Sequence, residues 1–184
     1  MDQGICGFPS KLSHDNKISF DAASCLGCLS CTAVCPTGAM RPKRQTDTAL
    51  LSAAADVLGA TPGQVVFACD QLTAAAKGAF DERYLVKVKC VASVDVTALV
   101  HLASRGAETL VLACGDCAAC PLGEKCPGTA SRAAETANLL LATWNSPARV
   151  KVTSKTARQH PPHRGSGLRP HAPRLLLRRA CGGP

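Results

Sequence analysis

Eight of the twelve cysteines in this chain fall into two short runs. Cys25, Cys28, Cys31 and Cys35 are separated by two, two and three residues, with Pro36 directly after; Cys114, Cys117, Cys120 and Cys126 are separated by two, two and five, with Pro127 directly after. Thiols this dense serve disulfides, zinc or iron-sulfur clusters. A disulfide scaffold suits a short secreted chain, and the opening MDQGICGFPSKLSHDNK lacks the apolar stretch of a leader peptide. The expected setting is therefore a reducing cytoplasm, where clustered thiols hold metal. Two-residue gaps let a tight loop aim successive thiolates at separate irons of one 4Fe-4S cubane while backbone amides donate to the sulfurs; the first run has that spacing. Four thiolates around one zinc ion are the rival, though zinc sites more often bring two separated pairs. In the second run the longer last gap leaves 4Fe-4S, 2Fe-2S and zinc open.

Apolar runs and helical spacings around these cysteines give the elements that must position them. Residues 47–59 read as a helix ending at Gly59, with a turn at Thr61-Pro62-Gly63; 64–70 and 84–90 read as strands. A helix follows over 93–106 with Ser93 as its N-cap, then a strand over 109–115, a helix over 128–144 and a strand over 148–153. Strands alternating with helices imply an α/β fold with a mostly parallel sheet in three layers. Cys69, Cys90 and Cys114 each end a predicted strand, and parallel sheets place ligands outside that edge. The chain divides into a small module over 1–45, with little helix signal, an α/β domain over 46–153 and a basic tail over 154–184 rich in Pro, Arg, His and Gly, expected to be disordered.

Residues 24–40, SCLGCLSCTAVCPTGAM, resemble one half of a bacterial two-cluster ferredoxin, and the resemblance covers about residues 1–42. It implies a ferredoxin-like module in which the fourth cysteine of a run serves the other cluster. Cys25, Cys28 and Cys31 would then need a fourth ligand from elsewhere. In that family a cysteine, a proline turn and a two-stranded hairpin precede the run, and Cys6-Gly-Phe-Pro9 followed by SKLS, HDN and KISFD keeps that order. The resemblance thus points to Cys6 as fourth ligand, with Cys35 as the alternative. The later stretch VKCVASVDVTALVHLASRGAETLVLACGDC resembles the small iron-sulfur subunit linking hydrogenases to heterodisulfide reductases. That resemblance implies an electron-relay domain with its cluster on the strand rim, where spacing already gathers Cys114, Cys117, Cys120 and Cys126, and with Cys69 and Cys90 as either extra ligands or plain buried thiols.

The net charge of +8 belongs to the tail: residues 1–135 carry twelve Lys and Arg against thirteen Asp and Glu. The tail has neither interleaved aromatics nor amphipathic spacing, so nucleic acid is not an expected partner. No run of 18 apolar residues suggests a membrane span. Phosphate and dinucleotide loops are missing, and Asp70, Asp95 and Asp116 lack His or Ser partners and read as solvated caps. A cysteine nucleophile on the strand rim would need a base that the sequence does not place nearby. The expected function is iron-sulfur electron transfer by a non-enzymatic carrier that relays electrons to a redox protein partner of an oxidoreductase or hydrogenase type. The alternative is a structural or regulatory module holding zinc or a sensing cluster.

Overall fold

The structure, a computed structural model, describes residues 11–12, 18–19, 25–35, 37, 40, 47–76, 81–123 and 126–154. Cys6 as a ligand and the tail beyond Ser154 as a disordered segment both lie outside the described residues. In the N-terminal part, β1 (Lys11–Leu12) and β2 (Ile18–Ser19) pair antiparallel with Leu12 opposite Ile18, the hairpin expected before the first run. A single turn of helix, α1 (Ser30–Ala33), lies inside the run itself, where no helix was expected. Leu29 makes it by taking a left-handed conformation at φ 62°, and the Thr32 hydroxyl donates to the Leu29 carbonyl at 2.7 Å.

The rest is one α/β unit. Helix α2 (Asp47–Ala60) buries Leu50, Ala54 and Val57, the spacing of one helical face. It runs through Gly59 rather than ending there, and the reversal comes at Gly63, whose φ of +80° needs no Cβ penalty. Then follow β3 (Gln64–Cys69), α3 (Asp70–Ala75), β4 (Val86–Val88), α4 (Val96–Ser104), β5 (Thr109–Cys114), α5 (Cys126–Thr143) and β6 (Arg149–Ser154). The four strands β4-β3-β5-β6 lie in that order and pair in parallel throughout. Central strands β3 and β5 are buried at every residue but the first, as strands covered on both faces must be. Helix α4 packs against both α2 and α5, and α3 against β3, β4 and β5. With few aromatics, the core closes on Phe67, Leu99, Leu102, Leu110, Leu112 and the valines.

Further boundaries differ from the sequence reading. The strand expected over 84–90 contracts to Val86–Val88, because 3-10 turns at Glu82–Tyr84 and Val91–Ser93 bracket it. Helix α4 starts at Val96, since the Asp95 carboxylate, not Ser93, accepts from the Ala98 amide at 2.7 Å. Ser93 instead donates its hydroxyl to the Cys90 carbonyl. Helix α5 begins at Cys126, not at Gly128, and Ser154 belongs to β6 rather than to the tail.

Candidate metal centre

Chain order and sheet order part company at β3. From it the chain steps to β4 at one edge, then crosses back to β5 on the other side. This reversal leaves a crevice at the carboxyl ends of β3 and β5, the place where open α/β sheets bind ligands. Cys69 and Cys114 are the last residues of those two strands, and the pairing of Ala68 with Ala113 sets them side by side in register. Cys90 sits two residues past β4, and Cys126 opens α5.

The thiols converge there. The Sγ atoms of Cys114, Cys117 and Cys126 all lie within 4.8 Å of one another. Cys90 joins them, its thiol donating to Cys126 Sγ at 3.0 Å. Cys120, expected in this group, stands outside that triad but lines a cavity of about 340 Å³ together with Cys69, Cys90, Cys117 and Cys126. The structure therefore gathers Cys114, Cys117 and Cys126 and sets Cys90 against Cys126, and Cys90 is the neighbour that spacing alone did not place beside them. Its partner is 36 residues away in sequence, so only the crossover brings them together. Gly123 closes the 117–123 loop: a Cβ there would collide with the Cys117 carbonyl, so no larger residue fits.

Cys69 plays a part that its place at a strand end did not reveal. Its sulfur accepts from the Leu72 amide at 3.4 Å, capping α3, and from the Gly115 amide at 3.2 Å. One sulfur thus serves as acceptor for two buried backbone amides. The neighbouring Gln71 donates to the Asp116 carbonyl at 2.7 Å and leaves its buried Oε1 without a partner. Asp116 caps the 3-10 turn at Cys117–Ala119 by accepting from the Ala118 amide.

Burial opposes ionisation of these thiols. It pushes the Cys117 thiol up to about 12, helped by negative charge at Cys126. Cys90 is raised by its hydrogen bond to Cys126 and by burial. Cys126 is raised chiefly by its hydrogen bond with Cys114, against an opposing pull from Cys90. The raised thiols of Cys90, Cys117 and Cys126 keep their protons without metal and become thiolates when a cation displaces those protons. The donor set thus fits zinc or an iron-sulfur cluster, both of which take thiolates.

In the first run, Cys28 is buried in the main core, Cys25 is exposed and Cys31 is half-buried. The Cys31 thiol is raised by burial, then by the neighbouring charges of Cys28 and Cys25, so these three lie within electrostatic reach of one another. Cys35 instead lies 3.6 Å from the Thr37 hydroxyl. Helix α1 packs on the Val91–Ser93 turn, and Leu26 lines the rim cavity. The two cysteine groups are therefore neighbours across a single wall of protein.

Residues 17–40 match the family model of a 4Fe-4S binding domain. No curated protein and no solved structure matches the chain. Among the described residues, no helix is long and apolar enough to cross a membrane.

Proposed function

We propose that this protein is an iron-sulfur electron carrier with two centres, one in the ferredoxin-type segment and one on the rim of the parallel sheet. The match of residues 17–40 to a 4Fe-4S binding domain supports the first centre. What carries the relay reading is adjacency: Leu26, from within the first run, lines the same cavity as Cys90, Cys117, Cys120 and Cys126, and α1 rests on the turn that follows Cys90. A bound cluster supplies reversible one-electron storage whose potential is set by net charge, hydrogen bonds to sulfur and solvent access. Around it the chain would contribute thiolates, amides aimed at sulfur as at Cys69, and a desolvated wall of Val91, Ala92 and Leu72. Two centres this close suit stepwise transfer to a protein partner, in keeping with the resemblance of 64–145 to the small hydrogenase-linked subunit. Cys6, Cys25, Cys28 and Cys31 would hold the first cluster.

One observation favours a second reading of the rim. A single tetrahedral zinc ion at about 2.3 Å from each sulfur sets neighbouring sulfurs about 3.8 Å apart, and three of the rim sulfurs already lie within 4.8 Å of one another. Zinc there would confine electron transfer to the first centre and make the rim a structural staple. Anaerobic purification, followed by iron, sulfide and zinc analysis and by EPR of the dithionite-reduced protein, decides between them. Two clusters' worth of iron and sulfide supports the relay, one cluster plus stoichiometric zinc supports the staple, and zinc without iron overturns the carrier altogether. In the same assay Cys6→Ser should lose iron where Cys35→Ser keeps it.

A further inference from the structure

We infer that Lys89 is the positioning cation of both centres, an ammonium held between them that favours their more negative, reduced states. This inference rests on the two-centre reading above. Lys89 follows β4 and alternates with buried Val88 and Cys90, so its side chain leaves the core at the level of the rim. It lines the cavity beside Cys90, Cys117, Cys120, Cys126 and Leu26. Its Nζ also reaches the other group: it lies 3.7 Å from where a Cβ on Gly27 would stand, and Gly27 is the middle of the Cys25 to Cys28 loop. With a φ of +65° and an ammonium against it, Gly27 occupies a position where the loop needs both the conformation and the open face of glycine.

The charges around it make the consequence one-directional. Four thiolates outweigh the metal they hold, so both occupied sites would be anionic, and each would gain a further negative charge on reduction. A cation between them lowers the energy of both reduced states and offsets their mutual repulsion. Asp70 is the acidic residue lining the cavity, and the ion pair given among the described residues, Arg83 with Asp81, does not involve Lys89. Lys87, two residues earlier and within β4, does not line the cavity.

The test is an EPR-monitored dithionite titration of the iron-loaded protein, with iron content measured in every sample. Lys89→Gln should lower the reduced-to-oxidised ratio of both centres severalfold at a fixed solution potential. Lys89→Glu should lower it further, Lys89→Arg should restore it, and Lys87→Gln should leave it unchanged. Added salt should shrink the difference between Lys89→Gln and the unaltered protein, because the site opens to solvent. Equal ratios at equal iron content, a shift confined to one centre, or the same shift from Lys87→Gln would overturn the inference. Loss of iron from Lys89→Gln and Lys89→Arg alike would also overturn it, since charge would then not be what matters. An unaltered protein that holds no iron would instead overturn the two-centre reading itself.

Discussion

At the scale of single residues, the informative cysteines are Cys90 and Cys120, because spacing and geometry assign them differently. Spacing puts Cys120 with Cys114 and Cys117, whereas the fold puts Cys90 3.0 Å from Cys126 and leaves Cys120 on the cavity wall. A ligand's removal leaves three thiolates around a cation and costs most of the site's affinity, while loss of a wall thiol costs little. Cys90→Ser should therefore remove the rim metal, and Cys120→Ser should retain it. Metal analysis after gel filtration reads this directly. Retention in Cys90→Ser with loss in Cys120→Ser would return the site to the consecutive run. Cys69 should behave as neither: its sulfur is engaged by two amides, so Cys69→Ser can keep a weaker version of both hydrogen bonds.

Among the elements, α4 shows how a local hydrogen bond sets a boundary that governs the rim. Its capping residue Asp95 lies five residues past Cys90, so the position of the cap fixes the length of the Val91–Ser93 turn on which α1 rests. Burial raises the Asp95 carboxyl, against the lowering effect of the Ala98 amide it accepts from, so part of the cap's benefit is spent on desolvation. Asp95→Ala should cost about 1 kcal/mol in denaturant unfolding, and Asp95→Asn much less, since the amide oxygen caps without the charge. Equal losses would mean that the charge itself is required. The sheet was legible because β3 and β5 are apolar runs of ordinary length, β6 alternates Val150 and Val152 with polar residues, and the helices between them carry helical spacing. What escaped was short or non-local: α3, six residues capped by a cysteine, and the Val91–Ser93 turn that cut β4 down. At the site, the cysteine runs announced metal chemistry from sequence and its strand-end position put Cys90 on the rim, but the contact of Cys90 with Cys126 depended on a strand crossover that no local pattern encodes.

For the whole molecule, the decisive property is that the sheet has a core of its own. Val65, Phe67, Leu110, Val111 and Leu112 are fully buried without help from any ligand. Metal should therefore stabilise a fold that exists without it, unlike a small metallo-domain that unfolds when stripped. The thiols then give the two forms opposite responses to pH. Without metal, the folded state keeps neutral thiols: Cys117 is raised to about 12 from an ordinary 9.0, and Cys31, Cys90 and Cys126 are raised as well. In the unfolded chain the same thiols ionise near their ordinary value. Stability from this source is full below that value and falls as pH climbs from about 9 toward 12. With metal, the folded state holds thiolates, so protons compete with the cation and stability falls as pH drops. Thermal unfolding followed from mildly acid to strongly alkaline solution should thus give an apo curve that declines on the alkaline side and a loaded curve that declines on the acid side. Circular dichroism should show the sheet and helices intact in both at neutral pH. Two curves of the same shape would mean that the buried thiols do not surrender their protons to a metal, and the rim would then be a desolvated cavity lined with sulfur rather than a redox or structural centre.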